Sequence, residues 1–484
     1  MPGDGVLGWV VGLGVPALYA LGIGSAYDAL MKARTAQGAT AWVLALLTVP
    51  LVALPLYWIF GRVKFSEYVR ALRDFYRAIE VRLEDPRRGL LADYVAHPER
   101  RADDRGRIEL RAFQELATFP FTRGNDLRLL VDGRATFDAI FAGIEAAERY
   151  ILAQFYIIRD DGLGREFQRR LIEKARAGVR VYLLYDEVGC YDLPKRYLQE
   201  LKEAGVRVSG FSGRRSWRGR FRLNFRNHRK IVVVDGVRGY MGGLNVGDEY
   251  LGLDPKFGPW RDTHVALEGP VVQGIQFAFL KDWYYGREEV LDVEWRPAPS
   301  DADLCALVLA SGPADRLETC GLLFSHAIES AERRVWIATP YFVPDGAVLG
   351  ALQLAALRGV DVRLIMPRKT DAWFFKYVPY AYLPDVARAG VKAYLYEEGF
   401  MHQKILLVDD DYAAVSTANL DNRSFRLNFE LTVLAYDRGF CGEVERMLEA
   451  DLARSTPLTE EDLAARPFFF RLAVQTTRLM SPVL

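Results

Sequence analysis

The chain has 484 residues, and its 63 Lys and Arg side chains balance 63 Asp and Glu side chains, so the formal net charge is zero. Half of the residues are hydrophobic and 26% are charged, which excludes a disordered or fibrous protein. The balanced charge argues against a dedicated nucleic-acid binder. The four cysteines are widely spaced, which is not the pattern of a disulfide framework or a cysteine zinc site.

The N-terminal region contains two long uncharged stretches, residues 5–27 and 35–61. Each is longer than the roughly 20 residues that a helix needs to cross a bilayer. The sequence therefore predicts a transmembrane hairpin in residues 1–61, with spans at about 6–27 and 38–60. A cleaved signal peptide is the alternative for the first stretch, but it lacks a basic n-region and a second stretch follows at once.

The basic residues around these stretches predict an orientation. Lys32 and Arg34 lie between the two predicted spans, and five Lys and Arg residues follow between Arg62 and Arg77. By the positive-inside rule, this asymmetry predicts a multi-pass protein whose large C-terminal part is cytoplasmic. Residues 62–112 are expected to form a juxtamembrane helical segment.

The rest of the chain contains a duplicated pattern. Residues 144–151 (IEAAERYI) return as residues 328–335 (IESAERRV), and each copy continues into an apolar run of strand length. Strands alternate with helical patterns, which predicts an α/β fold with mostly parallel sheets and helices on both faces. The Pro-rich stretch 297–301 marks the join. The expected domains are 113–298 and 299–484.

One polar motif occurs at the same place in each copy, with the spacing His-x-Lys-x4-Asp and an Asn ten residues after the Asp. The motif residues are His228, Lys230, Asp235 and Asn245 in the first copy, and His402, Lys404, Asp409 and Asn419 in the second. Residues two apart in a strand point to one face, so each His shares a face with its Lys. Facing copies would bring two imidazoles, two ammonium groups and two amides to one anion, which suits a phosphodiester.

The other uses of histidine fit less well. A metal site would need carboxylates or thiolates at ligand spacing, whereas each motif His has a Lys two residues away whose charge repels a cation. No metal is therefore expected. His97 and His326 are interpreted as ordinary surface or helix residues. For His264, core packing is favoured over a substrate contact.

These motifs resemble the phospholipase D superfamily, and several stretches resemble the bacterial cardiolipin synthases within it. The stretches are residues 242–250 (GGLNVGDEY), 260–264 (WRDTH), 417–425 (TANLDNRSF) and 428–430 (NFE). The order of parts, two N-terminal spans before two catalytic halves, is also similar. Ser416 departs from the family, which generally has Gly there; its Cβ could crowd a close backbone approach, but we expect activity to survive.

The resemblance implies a reaction in which one phosphatidylglycerol donates its phosphatidyl group to another, releasing glycerol and forming cardiolipin. It implies that His228 attacks phosphorus to form a phosphohistidine, while His402 protonates the leaving glycerol and then deprotonates the acceptor. The lysines and asparagines would neutralise the nonbridging oxygens. The aspartates would orient the histidines or hold the local structure. No cofactor is expected, because one phosphodiester is exchanged for another. The implied location is the bacterial inner (cytoplasmic) membrane.

Two further segments suit a lipid substrate. Residues 214–230 contain eight basic residues, three aromatic rings and no acidic residue, so Arg214, Arg215 and Arg218 are predicted to bind anionic headgroups. A solvated basic loop is the alternative. The C-terminal residues 466–484 are predicted either to form an interfacial helix or to pack on the catalytic core. The expected partners are phosphatidylglycerol and anionic membrane lipid, without nucleic acid, and the oligomeric state stays open.

Two other functions stay open at this point. A membrane-anchored phosphodiesterase would use the same site to hydrolyse phospholipid or nucleic acid; the basic segment favours it, and the neutral charge opposes it. A non-catalytic lipid-binding scaffold is the second, and two intact motifs argue against it. Access of water to the phosphohistidine would decide between transfer and hydrolysis.

Overall fold

The structure, a computed structural model, describes residues 3–33, 35–61, 66–82, 89, 91–96, 110–211 and 224–484. The chain divides into two compact units. One unit is residues 1–70 with 213–225, and the other is residues 71–212 with 226–484. The second unit contains both copies of the repeated pattern.

The first unit begins with a long helix followed by a broken one. In its described part these are α1 (Gly3–Lys32), α2 (Ala36–Thr48), α3 (Pro50–Leu56) and a π-helical turn (Tyr57–Gly61). Val49 separates α2 from α3 because its backbone is not helical (φ −132°, ψ 58°), and Pro50 then opens α3. Ala26 and Ala29 of α1 pack with Leu46 and Leu54 in a small hydrophobic core.

The structure does not support the predicted membrane spans at about 6–27 and 38–60. Within the described ranges, no helix is both long enough and apolar enough to cross a membrane. The second predicted span is divided at Val49 into helices of 13 and 7 residues. Thirteen helical residues extend only about 20 Å, less than the ~30 Å of bilayer hydrocarbon. Because no described helix meets these requirements, the multi-pass prediction is unsupported. A hydrogen bond of 2.9 Å from the Tyr57 hydroxyl to Asp28 joins the π-helical turn to α1.

The elements that lead into and build the first copy follow in chain order. They are α4 (Ser66–Arg82), α5 (Arg111–Leu116), β1 (Thr122–Val131), α6 (Asp132–Glu145), β2 (Tyr150–Phe155), α7 (Gly162–Arg176), β3 (Arg180–Tyr185), α8 (Lys195–Glu203), β4 (Arg207–Gly210), β5 (Arg226–Asn227), β6 (Ile231–Val234), β7 (Arg238–Gly242), β8 (Trp260–Arg261), β9 (Thr263–Glu268) and α9 (Val272–Arg287).

The second copy repeats this order. Its elements are β10 (Leu304–Ser311), α10 (Thr319–Glu329), β11 (Arg334–Ala338), β12 (Phe342–Val343), α11 (Gly346–Leu357), β13 (Asp361–Pro367), α12 (Leu383–Arg388), β14 (Lys392–Tyr396), β15 (Phe400–Met401), β16 (Ile405–Val408), β17 (Tyr412–Ser416), β18 (Leu420–Asp421), α13 (Asn422–Arg426), β19 (Asn428–Tyr436), α14 (Arg438–Leu452), β20 (Ser455–Leu458), α15 (Glu460–Ala464) and α16 (Phe468–Arg478). Two 3-10 turns, Trp373–Lys376 and Val378–Ala381, precede α12.

Sixteen strands of the described chain form one sheet that is nearly symmetric about its centre. The order is β20-β14-β13-β11-β16-β17-β19-β10-β1-β9-β7-β6-β2-β3-β4, with β5 beside β19. The central strands β1 and β10 are antiparallel neighbours. Outward from them, β9-β7-β6-β2-β3-β4 of the first copy matches β19-β17-β16-β11-β13-β14 of the second. The copies are therefore related by an approximate twofold axis through the centre of the sheet.

The predicted α/β class and duplication are confirmed, but the prediction of a mostly parallel sheet is wrong. Parallel pairing joins β2, β3 and β4, whereas β6, β7 and β9 run antiparallel to their neighbours. A tight turn explains this mixed sheet: Asp235 and Gly236 have positive φ angles of 53° and 71°. Such an Asp-Gly turn joins β6 to β7 as a hairpin, where a parallel pair would need a crossover helix.

Each copy has its own hydrophobic core, and aromatic side chains are exchanged between the cores. Phe400 of the second copy belongs to the core of the first copy. Phe113 and Phe121, which lie at the start of the first copy, belong to the core of the second. The shared sheet and the exchanged rings bring both motifs to one place.

Candidate active site

The short strands before the two motif histidines each pair with the opposite copy. β5 precedes His228 and pairs with β19, and the His228 amide donates to the Phe429 carbonyl at 3.0 Å. β15 precedes His402 and pairs with β8, and the His402 amide donates to the Arg261 carbonyl at 2.7 Å. The backbone of each histidine is thus fixed by the other copy.

The His228 ring is held by a carboxylate from the second copy. Its Nδ1 lies 3.1 Å from Glu430 Oε2 and 3.1 Å from the Thr417 carbonyl oxygen. Both partners accept hydrogen bonds from this nitrogen, so Nδ1 must carry the proton. Nε2 therefore keeps its lone pair, as a nucleophile requires.

The His402 ring meets a different pair of groups. Its Nδ1 lies 2.9 Å from Asp262 Oδ2, a carboxylate of the first copy, and 2.9 Å from Lys404 Nζ. The carboxylate accepts a hydrogen bond and the ammonium donates one, so both tautomers of His402 find a partner. The two histidines therefore have similar positions but unequal hydrogen bonding.

Burial and mutual repulsion set the charges of the site. Burial, with the Lys404 charge, lowers the pKa of His402 to about 3, and burial also lowers the pKa of His228. Burial lowers the pKa of Lys230 to about 7 and that of Lys404 to about 8. Positive charge is therefore costly in the unbound site, and the negative charge of a bound phosphodiester would lower that cost.

The two carboxylates stay ionised despite being fully buried. Burial opposes ionisation of Asp262, but the Lys404 charge and the bond from His402 hold the pKa of Asp262 below its usual value. The His228 ring and the Lys230 charge do the same for Glu430. Each histidine thus faces a permanent negative charge from the opposite copy.

The motif lysines contact their own histidines, whereas the motif asparagines have other surroundings. Lys230 Nζ donates to the His228 carbonyl at 2.6 Å, and Lys404 Nζ donates to the His402 carbonyl. Asn245 Oδ1 accepts from the Ile157 amide at 3.1 Å. Within the described chain, the buried Asn419 Oδ1 has no hydrogen-bond partner, so it can accept from a ligand or a water.

The motif aspartates accept hydrogen bonds from the backbone. Three consecutive amides donate to each carboxylate at 2.8 Å: Glu148, Arg149 and Tyr150 to Asp235, and Glu332, Arg333 and Arg334 to Asp409. Both aspartates follow the last residue of a motif strand, whereas the histidines precede the strand. Their contacts therefore favour the second predicted role, which is holding the local structure.

The remaining predicted residues are placed as follows. Arg214, Arg215, Arg218 and His97 lie outside the described residues. His326 packs its ring against Phe113 at 4.7 Å. His264 is buried, its Nδ1 accepts from the Leu244 amide at 3.3 Å, and burial lowers its pKa to about 3. These contacts agree with core packing of a neutral His264.

Ser416 is accommodated because its strand partner differs between the copies. In the first copy, the equivalent Gly242 pairs with His264, and a Cβ on Gly242 would lie 2.6 Å from His264 Nδ1. In the second copy, the partner is Thr432, whose Oγ1 lies 2.8 Å from Ser416 Oγ. The serine therefore hydrogen-bonds where the histidine would collide.

The sequence patterns did not indicate the carboxylates that hold the histidines. Asp262 and Glu430 lie within stretches noted only for their family resemblance, at equivalent places in the two copies. Nor did the patterns indicate the buried carboxylates that bind Arg229 and Gln403, the residues between the His and the Lys of each motif. Arg229 donates to both oxygens of Asp282 at 2.9 and 2.8 Å, and Gln403 donates to Asp451 at 2.6 Å. These buried bonds hold the segment that joins each motif histidine to its motif lysine.

Together the groups can carry out a two-step displacement at phosphorus. The site offers one neutral imidazole with a free Nε2, a second imidazole for proton transfer, and two lysines for the nonbridging oxygens. In the described part of the chain, no cluster of three or more His, Cys, Asp and Glu side chains is arranged to hold a metal ion.

Comparisons with known proteins agree with this arrangement. The family described as cardiolipin synthase, PLD-like domain, matches residues 140–255 and 324–452, and the phospholipase D-nuclease N-terminal family matches residues 20–62. Among solved structures, phosphatidylserine synthase of Haemophilus influenzae aligns with a TM-score of 0.58 at 15% identity, covering 77% of this chain and 99% of that one, which shows a shared fold.

Relatives match over the full length. The chain is 46% identical to cardiolipin synthase A of Pseudomonas entomophila, over 99% of this chain and 98% of the relative. It is also 46% identical to cardiolipin synthase A of Pseudomonas syringae pv. syringae, again over 99% and 98%. The chain therefore belongs to the cardiolipin synthase family with phospholipase D-like domains.

Proposed function

We propose that this protein is a phosphatidyltransferase that makes cardiolipin from two phosphatidylglycerol molecules and releases glycerol. Its family and its full-length relatives named cardiolipin synthase A support this function. The observation that carries the mechanism is the crossed pairing of His228 with Glu430 and of His402 with Asp262. The proposed catalytic halves are residues 113–298 and 299–484, which follow a helical segment in 62–112.

In the first step, His228 Nε2 attacks phosphorus and the bond from phosphorus to the glycerol oxygen breaks. His402 gives that oxygen its proton. Glu430 stabilises the positive charge that develops on the His228 ring. Burial, and after it the lysine charges, depress the pKa of His402 in the unbound protein. The negative charge of the bound phosphodiester favours the protonated ring, so His402 gains a proton from solvent when substrate is in place. Lys230 and Lys404, with Asn245 and Asn419, bind the nonbridging oxygens.

In the second step, His402 removes the proton from a hydroxyl of the acceptor phosphatidylglycerol. The acceptor oxygen attacks phosphorus and the phosphorus–nitrogen bond to His228 breaks, which regenerates both histidines. Asp235 and Asp409 act indirectly, by fixing the turns beside the motif strands.

The enzyme is proposed to act at a membrane, where its substrate lies. The N-terminal helices expose apolar side chains such as Leu13, Ile23, Leu51 and Trp58. Contact of Arg214, Arg215 and Arg218 with anionic headgroups stays a prediction from the sequence. Proximity to concentrated acceptor lipid would favour transfer over hydrolysis.

The reaction is tested with purified protein and phosphatidylglycerol vesicles, without nucleotide and with a chelator present. We expect cardiolipin and free glycerol in equal amounts, measured by mass spectrometry. Phosphatidic acid as the main product would show that water is the acceptor and would favour a hydrolase. An absolute requirement for a divalent metal would contradict the proposed site.

The nucleophile assignment is tested with a phosphatidyl ester of p-nitrophenol, whose leaving group departs without a proton donor. We expect His402→Ala to release a burst of nitrophenol and to accumulate a phosphatidyl group on the protein, because only the second step needs His402. We expect His228→Ala to show neither. The reverse pattern would make His402 the nucleophile.

A further inference from the structure

The C-terminal helix α16 has an apolar stripe on its outward side. The stripe consists of Phe468, Phe469, Leu472 and Leu479, which are 63%, 80%, 51% and 81% exposed. Positions three, four and seven residues apart lie on one face of a helix, so these side chains form a continuous surface. Arg471 and Arg478 lie seven residues apart along a different side, and the helix sequence contains no acidic residue.

The opposite side of α16 is fixed to the second copy. Val474 and Thr477 are buried there. The Phe470 ring packs against Tyr377 at 5.3 Å and Tyr380 at 5.0 Å. The helix therefore holds its outward stripe in a defined position.

A row of aromatic rings leads from the surface beside this contact to the active site. It starts at Trp373, which is 66% exposed, and continues through Phe374, Phe375 and Tyr341 to His402. Successive ring centroids are 5.8, 4.6, 3.7 and 6.3 Å apart. The row thus begins in the chain segment that receives α16 and ends at a catalytic histidine.

We infer that the outward stripe of α16 is where the catalytic core docks on the surface of an anionic phospholipid bilayer. This inference rests on the proposed function only in taking the substrate to be a membrane lipid. An apolar face with basic residues at its side is typical of a helix lying in the bilayer interface, about 5–10 Å deep.

Charge favours a bilayer over a second copy of the chain as the occupant of this face. The guanidinium groups of Arg471 and Arg478 complement lipid phosphates. In a twofold contact through α16, the same arginines from both copies would be brought together, with no acidic residue on the helix to pair with them.

The direct test is a fluorescent label whose emission reports polarity, attached to a Phe469→Cys variant of the full chain. The four native cysteines are buried, so the label should react selectively. With phosphatidylglycerol vesicles we expect a blue shift of the label, and a smaller one with phosphatidylcholine vesicles. A label at the exposed Leu253, introduced as Leu253→Cys, should not shift.

Two results would overturn the inference. The first is a label at position 469 that stays in water when phosphatidylglycerol vesicles are bound. The second is a label that is already shielded without vesicles in a self-associated protein, which would make a second copy the occupant.

Activity gives an independent test with matched variants. Replacing Phe469 and Leu479 together by Ser should lower the rate on vesicles about tenfold or more, because each loses apolar burial. The rate on short-chain phosphatidylglycerol, dispersed as monomers, should change less than about twofold. The control replaces the exposed Leu253 and Leu357 by Ser and should leave both rates unchanged.

The substrates separate the possible failures. Equal losses on vesicles and on monomers would show that α16 supports the fold or the chemistry, and would contradict docking. A wild-type protein that makes no cardiolipin from either substrate, while its label at position 469 still shifts, would refute the proposed function and leave the docking surface standing.

Discussion

The lysines of the two motifs are the residues whose charge is easiest to change. Both are almost fully buried, and burial is the main cause that lowers their pKa values; repulsion from Lys404 lowers the pKa of Lys230 further. Burial puts the pKa of Lys230 at about 7 and of Lys404 at about 8 in the unbound protein. They carry charge below these values and lose it as the pH rises.

The first prediction is therefore that activity falls at alkaline pH. We expect kcat/KM to decline as the pH rises through about 7 to 8, by about tenfold per pH unit once one lysine is neutral. The limb in kcat should lie at higher pH, because bound phosphate stabilises the charged lysines. Initial rates on monomeric phosphatidylglycerol would measure both. A kcat/KM that stays constant from about pH 6 to about pH 9 would contradict the assigned role.

The second prediction concerns the two equivalent positions Gly242 and Ser416. Gly242→Ser should destabilise the protein by about 1–3 kcal/mol, because the new Cβ would lie 2.5 Å from the Thr263 carbonyl oxygen. Ser416→Gly should cost only about 1 kcal/mol, through loss of the bonds to Thr432 and to the Ala418 amide. Urea midpoints would measure both changes. A larger loss of stability for Ser416→Gly than for Gly242→Ser would contradict the idea that only the second copy accommodates a serine.

At the scale of elements, the turn after each motif strand is fastened by one carboxylate. Each motif aspartate has a positive φ and accepts hydrogen bonds from three backbone amides at the start of the neighbouring strand, β2 or β11. These bonds join β6 to β2 and β16 to β11 at the end of the sheet away from the histidines. The stability of the strand pair therefore depends on them, while the chemistry does not.

The third prediction separates these two roles. Asp409→Asn should lower the free energy of unfolding by about 1–3 kcal/mol, because an amide group replaces one acceptor oxygen facing the backbone amides. The folded protein should keep its kcat within about threefold. The control is Asp410→Asn, which removes only surface ion pairs to Arg333 and Arg334 and should cost less than about 1 kcal/mol. A loss of kcat without a loss of stability would support histidine orientation instead.

The elements show where prediction from sequence works and where it stops. Apolar runs and the internal repeat predict the strands and helices of both copies. The hairpin direction was missed although Asp235-Gly236 between two apolar runs is itself a hairpin signal. The uncharged stretch predicted as the second membrane span gives no sign that the backbone leaves the helix at Val49.

At the scale of the whole molecule, the site belongs to neither copy alone. The His228 ring contacts Glu430 and the His402 ring contacts Asp262, so both pairs join the two copies. The histidine and lysine positions follow from spacing within one copy, and the sequence predicted them. The partner carboxylates depend on how the copies face each other, which no spacing within a copy encodes.

The fourth prediction follows from this crossing. A mixture of His228→Ala chains and His402→Ala chains should stay below about 0.1% of wild-type activity, because each molecule contains only one of the two histidines. The chains would be expressed together in one cell and assayed on vesicles, with wild-type protein at equal total amount as the control. Recovery of a substantial fraction of activity would show that sites form between chains.

The central β1–β10 pair has a consequence for how such a protein can diverge. A chain with one copy could build the same site only as a twofold dimer of identical subunits, in which every substitution enters both halves. Joining the copies in one chain removes that constraint. Here one histidine faces a glutamate and a carbonyl, and the other faces an aspartate and a lysine. The covalent link between the copies thus permits two equivalent histidines to have different partners, as the separate roles proposed for them require.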